Sequence, residues 1–208
     1  MISMFKNSVM AFVLMFSSMG AFAGINGGVG VNSDNYFRGH NISDGLGYSL
    51  HGKYDFGKGM YAGAKMWSLA DDADGDHLVH SMVGWNKSLS EKLRIGVAYS
   101  DIRVQGGDAD GWEEMVMRVS MGSNSFIYRK GLDDAGDMME FHTGMLKVVD
   151  LSYGDWDDGG SFWHISKGWD MFKGHVKVGY IDHEDNADDF ADKLQDLDNF
   201  YVGYSYKF

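Results

Sequence analysis

The sequence contains no cysteine and no proline. Without cysteine there is no disulfide scaffold, no Cys-ligated zinc site, no iron–sulfur cluster and no thiol nucleophile. Proline makes up about 5% of an average protein, so its absence from 208 residues leaves the chain reversals to Gly, Asn and Asp. Basic residues are few, with 18 Lys and Arg against 30 Asp and Glu and a net charge of −12. A broad basic footprint for nucleic acid is therefore missing, and no nucleic-acid partner is expected. Long apolar runs are missing too. After the first 23 residues every longer stretch is interrupted by charge or Gly, so none could cross a membrane as a helix.

What is present is Gly, at 29 residues, and aromatic side chains, at 14%. With 44% hydrophobic residues the chain is too apolar for a disordered protein. Residues 1–23 carry a single charge, Lys6, then an apolar run from Val9 to Phe16, and close on Ala21-Phe22-Ala23. A short basic start, an apolar centre and an A-x-A site describe a secretory signal peptide, with cleavage expected between Ala23 and Gly24. The mature domain is then 24–208.

Alternation with period 2 recurs throughout that domain, as a strand requires when its side chains point to opposite faces. Val29 and Val31 alternate with Gly30 and Asn32, and Leu50 and Tyr54 with His51 and Lys53. Met115, Met117, Val119 and Met121 oppose Glu114, Val116, Arg118 and Ser120, and Val176, Val178 and Tyr180 oppose Lys177 and Gly179. Twelve such segments can be placed between Ile25 and Phe208. Their connections take turns. Short ones fall at 57–59, 86–92, 122–124, near Lys147-Val148 and at 170–172; long acidic ones fall at 38–47, 70–76, 104–111, 130–137, 155–160 and 182–198. Short turns at one end and long loops at the other are the pattern of an outer-membrane barrel. The turn near Lys147-Val148 has no Gly, Asn or Asp at its centre, so ten strands is the alternative count.

A soluble sandwich would alternate as well. It would hold its aromatics at strand centres, whereas here Tyr36, Phe37, Tyr54, Phe56, Trp85, Tyr99, Trp112, Tyr128, Trp156, Trp169 and Phe172 fall at or beside strand ends. Such girdles mark the two lipid–water interfaces. The last segment, Phe200 to Phe208, places Tyr204, Tyr206 and Phe208 at alternate positions and ends on an aromatic residue. It resembles the terminal-strand signal read by the outer-membrane assembly machinery. The expected fold is all-β: a transmembrane, antiparallel, up-and-down β-barrel of about twelve strands.

The run Ser33-Asp34-Asn35-Tyr36-Phe37-Arg38-Gly39, followed by Ser43-Asp44-Gly45, resembles the opening motif of the TorF family of porin-like outer-membrane proteins. Tyr54, Gly57, Tyr61-Ala62-Gly63, Trp67 and Tyr153-Gly154-Asp155-Trp156 fit as well, while a Pro near Leu46 is lacking and the last loop is rich in Asp. The resemblance implies an outer-membrane, porin-like barrel and carries over no catalytic residue.

Local chemistry is sparse. Residues 71–76 read Asp-Asp-Ala-Asp-Gly-Asp, but aligning Gly75 with the EF-hand glycine puts Ala70 and Ser81 at ligand positions. A solvated acidic loop is the plainer reading. His77 and His80 fall on opposite faces of a strand. No Ser–His–acid motif stands out, Gly27-Gly28-Val29-Gly30 lacks the Lys and helix of a phosphate loop, and no metal, cofactor or enzymatic activity is expected. The expected function is a pore of a Gram-negative-type outer membrane, in contact with lipid, that passes small hydrophilic solutes or ions. The competing readings are a non-conducting barrel used as a binding or structural surface and, after it, an outer-membrane hydrolase. Trp67 and Tyr61, both predicted inward, point to partial filling. The predicted inward charges are Lys53, Lys65, Arg94, Arg118, Arg129 and Lys177 against Asp55, Glu114, Glu140 and Asp150. The loop acids, led by Asp71, Asp72, Asp74 and Asp76, would form a vestibule that concentrates cations.

Overall fold

A computed structural model of the chain describes residues 25–43, 45–71, 73–107, 111–132, 136–144, 149–157, 160–184 and 199–208. The expected signal peptide, Asp72, the turn at Lys147-Val148 and most of the last acidic loop lie outside the described residues. The strands are β1 (Ile25–Asn32), β2 (Tyr36–Phe37), β3 (His40–Asn41), β4 (Gly47–Gly57), β5 (Met60–Ser68), β6 (His77–Ser88) and β7 (Leu93–Gln105). They continue as β8 (Trp112–Met121), β9 (Asn124–Gly131), β10 (Met138–Thr143), β11 (Asp150–Trp156), β12 (Gly160–Met171), β13 (Gly174–Glu184) and β14 (Asn199–Lys207). Twelve of them, β1 and β4 to β14, form one closed antiparallel barrel in which each pairs with its sequence neighbours. β1 closes the ring by pairing with both β4 and β14. The alternative of ten strands is excluded. β7 and β13 run past the expected ends near Ser100 and Tyr180, to Gln105 and Glu184.

Register carries one set of side chains around the inside. Gly30 pairs with Ser49, Ser49 with Trp67, and Trp67 with Leu78. Leu78 pairs with Val104 on β7, and on β8 the same inward face continues at Trp112, opposite Ile102. The other parity faces out. Val31, Val83, Val97, Met117, Val119, Phe141, Ile165 and Val202 are all exposed on it. Water would make such a belt unfavourable, and a bilayer covers it.

Tyr54, Phe56, Trp169 and Phe172 are exposed, as girdle residues would be. Tyr36, Phe37, Trp112 and Trp156, expected at the same interfaces, lie inside. Tyr36 packs on the inward Tyr201, Phe37 on Trp67 and Trp112, and Trp156 on His40. Tyr36 and Phe37 belong to a separate hairpin and not to the wall, Trp112 and Trp156 lie at strand ends but on the inward parity, and Tyr99, expected near a strand end, falls in the middle of β7 because that strand runs on to Gln105.

The short turns use positive φ, because two-residue hairpins with both central residues left-handed match the strand twist. Lys58 and Gly59 supply it between β4 and β5, at 53° and 87°. Between β12 and β13 the same geometry falls on Phe172 and Lys173, at 52° and 62°, without a glycine. A left-handed L-residue costs about 1–2 kcal/mol. Lys173→Gly is therefore expected to raise barrel stability by about 1 kcal/mol after the glycine's own entropy is counted. The urea midpoint for loss of the folded band on unheated detergent gels would measure it, and a lower midpoint would refute the strain.

Candidate functional site: a hairpin inside the barrel

The loop after β1 turns into the lumen. β2 and β3 form a hairpin in which Tyr36 pairs with Asn41 and Phe37 with His40. Its tip is Arg38-Gly39, with φ of 54° and 91°, again a two-residue left-handed turn. The base is tied by Asn35, a buried amide. Asn35 Nδ2 donates to Tyr48 O at 3.1 Å and to Ser68 Oγ at 3.1 Å, and its backbone N–H donates to Ser43 Oγ at 2.7 Å. Asn32 Nδ2 donates to Asn35 Oδ1 at 2.9 Å. A buried amide needs such partners, because each unpaired polar group costs about 1–3 kcal/mol.

Phe37 is the apolar foot of the hairpin. It sits with Trp67, Leu78 and Ile102 in a buried cluster that Ile42, Val104 and Trp112 extend. Its ring centroid lies 5.3 Å from that of Trp67 and 6.1 Å from that of Trp112. Gly39 meets the wall at Phe162, where a Cβ would sit 2.7 Å from the Phe162 Cβ. No larger residue fits at that point of the turn.

Arg38 is the polar foot, with a side chain only 5% exposed. Its guanidinium makes a two-nitrogen pair with the Glu114 carboxylate, which is 1% exposed. Trp112 Nε1 donates to Glu114 Oε1 at 3.0 Å. Arg129 links the pair onward, at 3.8 Å from Glu114 Oε2, and its Nε donates to Glu140 Oε1 at 2.6 Å. Glu140 Oε2 is hydrogen-bonded to His142 Nε2 at 2.9 Å, and His142 Nδ1 to Ser152 Oγ at 2.9 Å. The chain of alternating charge thus runs from the hairpin tip across β8, β9, β10 and β11. Phe37, Trp112 and Trp156 surround the Arg38 guanidinium, with centroids 4.9, 5.8 and 5.5 Å away.

Cross-strand register puts Lys53, Lys65, Arg94, Arg118, Arg129 and Lys177 on the inward face, with Asp55, Glu114, Glu140 and Asp150. Of these, the structure joins Glu114, Arg129 and Glu140 into one network and leaves Lys53, Lys65, Arg94, Arg118 and Lys177 outside every salt bridge among the described residues. Asp71, Asp74 and Asp76 are exposed on the β5–β6 loop. Another long connection is pinned at its edge: Tyr128 Oη donates to Asp137 at 2.5 Å, and with Lys130 it holds that carboxyl below its ordinary range. Phe208 and Gly27 exchange backbone bonds at 3.0 and 3.2 Å, and Tyr204 and Tyr206 extend the β14 ladder against β1. Sequence reasoning missed Asn35, Arg38 and His40. The available signals are the motif at residues 33–39 and, within it, the turn dipeptide Arg38-Gly39; the charge and length of 38–47 instead suggest an external loop, and the structure turns its first part into the lumen.

No family model matches the chain, and no curated protein matches it. Solved structures do match. A KdgM porin superposes with a TM-score of 0.55 at 12% identity, over 88% of this chain and 99% of that one. A KdgM porin in complex with disordered oligogalacturonate gives 0.56 at 11% identity, over 89% and 99%. OccAB3 of Acinetobacter baumannii gives 0.41 at 10% identity, over 90% of this chain and 65% of that one, too low a score to carry weight. The first two share this chain's fold, a closed antiparallel β-barrel.

Removing one member of a buried ion pair costs about 3–5 kcal/mol, because the other charge is left uncompensated. Arg38→Met is expected to lower the urea midpoint of the folded band sharply, and Arg38→Met with Glu114→Gln to recover most of the loss. Equal losses in the single and double variants would show that the pair does not hold the hairpin.

Proposed function

We propose that the protein is an outer-membrane channel for passive movement of small hydrophilic solutes or ions, narrowed by its own β2–β3 hairpin. The observation that carries this reading is the contrast between an apolar outward belt and an inward face rich in unpaired charge. A side chain such as Lys53 or Arg94 on that face needs water, and a water-lined lumen supplies it. Membership of the TorF family is part of the proposal and rests on the motif at residues 33–39, whose Asn35, Phe37, Arg38 and Gly39 build the hairpin. Assembly through recognition of Phe208, Tyr206 and Tyr204, export by the leader at 1–23, and residence in the lipid of a Gram-negative-type outer membrane belong to the same reading. No catalytic residue is assigned.

Two fields act on a permeating ion. The acidic loops, with Asp71, Asp72, Asp74 and Asp76 as the testable set, concentrate cations at one end. Inside, Glu114 and Glu140 are already matched by Arg38 and Arg129, which leaves Lys53, Lys65, Arg94, Arg118 and Lys177 against Asp55 and Asp150. The lumen alone favours anions. Screening separates the two, since the Debye length falls from about 10 Å at 0.1 M to about 3 Å at 1 M.

Reversal potentials across a bilayer under a KCl gradient test this. Modest cation preference is expected at low mean salt, weakened when the four loop aspartates are changed to Asn. In molar salt the preference is expected to pass to anions for both proteins. Anion preference at low salt in the native protein would remove the vestibule. A silent bilayer would remove the channel and favour the second reading, a binding or structural barrel, for which the hairpin's packing inside the lumen is the specific support.

A further inference from the structure

We propose that Ser152, His142 and Glu140 form a nucleophilic site on the lumen wall that hydrolyses small carboxylic esters. This activity goes beyond the channel reading and draws on it only for water in the lumen. The three side chains are joined in series. Ser152 Oγ lies 2.9 Å from His142 Nδ1, and His142 Nε2 lies 2.9 Å from Glu140 Oε2. The sheet holds them in place: His142 on β10 is directly opposite Ser152 on β11, and Glu140 is the next residue of the same parity on β10. A nucleophile within hydrogen-bond reach of a base, with the base oriented by a third group, is the arrangement that activates a serine.

The bonding partners fix the direction of each hydrogen bond. Arg129 Nε donates to Glu140 Oε1 at 2.6 Å, the ion pair of a carboxylate. A carboxylate only accepts, so the bond at Oε2 comes from His142 Nε2–H. In a neutral imidazole the other nitrogen then carries the lone pair, and Ser152 Oγ–H donates to it. That is the tautomer a general base needs. The lumen holds a second serine–histidine contact, Ser100 Oγ to His80 Nε2 at 3.0 Å, but no carboxylate is hydrogen-bonded to that imidazole among the described residues, and Ser100 is only 1% exposed. At the proposed site the His142 side chain is 37% exposed, so a solute in the lumen can reach it. Ser152 is 7% exposed, which restricts attack to a small acyl group.

A second imidazole flanks the serine. His164 on β12 is directly opposite Ser152, and such pairs have Cβ atoms about 4.5–5.5 Å apart. His164 Nε2 is hydrogen-bonded to Tyr201 Oη at 2.8 Å. With Tyr201 as donor, His164 Nδ1–H is left to donate to the carbonyl oxygen as it becomes an oxyanion. The site lies toward the short-turn end, since His142 is one residue from the end of β10 and Ser152 is near the start of β11. In the reaction Ser152 Oγ attacks the ester carbonyl carbon and its proton passes to His142 Nδ1. The bond from that carbon to the alcohol oxygen breaks, and the alcohol leaves with the proton. A lumen water attacks the acyl-serine by the same route, which releases the carboxylic acid and restores Ser152 Oγ–H. Glu140 touches no substrate; it is a positioning residue that holds the His142 ring and its tautomer.

Labelling of the refolded mature protein in non-ionic detergent with a small alkyl fluorophosphonate, read by peptide mass, tests the site, together with hydrolysis of p-nitrophenyl acetate. A phosphonyl group on Ser152 is expected, with fluoride as the leaving group. Ser152→Ala is expected to abolish the adduct and to lower hydrolysis at least 10-fold, and His142→Gln to slow both at least 10-fold. Ser100→Ala should change neither. Glu140→Gln is expected to slow labelling, and Glu140→Asp to restore part of the rate, as a carboxylate that positions His142 requires. Each variant must keep the gel shift between unheated and boiled samples. Absence of an adduct on Ser152 in the native protein, or hydrolysis unchanged by Ser152→Ala, overturns the proposal. An adduct on Ser152 in a protein that is silent in a bilayer would uphold the site while removing the channel, and conduction without an adduct would do the reverse.

Discussion

A strand in a bilayer must have both of its edges paired, because lipid offers no partner for a free N–H or C=O. Everything else in the structure follows from meeting that condition by closure. β1 is the seam, bonded to β4 on one side and β14 on the other. Closure with an unbroken register fixes parity for every residue in the wall. A one-residue slip would send Lys65 or Glu114 into lipid and Met66 or Met115 into the lumen. The apolar belt and the charged interior are thus one decision made twelve times.

Closure also creates an interior that the wall alone does not fill, and the chain fills part of it with itself. The hairpin is held by two unlike anchors. Phe37 enters an apolar cluster at one flank, and Arg38 enters a charge network at the other. Apolar packing gives burial without direction, whereas the guanidinium–carboxylate pair sets orientation. Arg38 accepts a left-handed backbone to make that pair, at φ 54°. A strained non-glycine residue is kept where the surroundings demand its side chain, and here Glu114 demands it.

Much of the wall was legible in the sequence because period 2 is a local property. Met115, Met117, Val119 and Met121 announced the outward face of β8 with no knowledge of their neighbours, and Glu114 and Arg118 the inward one. The partition of loops into short and long was legible for the same reason, since Gly57-Lys58-Gly59 and Gly122-Ser123-Asn124 are turn chemistry. The hairpin was not. β2 and β3 are two residues each, too short for any period to show. What holds them comes from far along the chain: Ser68 for Asn35, and Glu114 for Arg38. Trp112 and Trp156 were expected at an interface with lipid, although Trp112 shares the inward parity of Glu114 and Trp156 that of Ser152, and both rings meet the hairpin there. Inward charges could be read as a set, but which of them neutralise one another depends on that unforeseen arginine.

The hairpin occupies the lumen, and in a conducting barrel it would set the bore. The most direct test is the single-channel conductance of a protein in which residues 36–41 are replaced by a short Gly-Ser link, compared with the native protein in molar KCl. Both must show the gel shift of a folded barrel. A conductance several times larger in the shortened protein is the predicted result. Equal conductance in the two would mean that the hairpin does not limit the path.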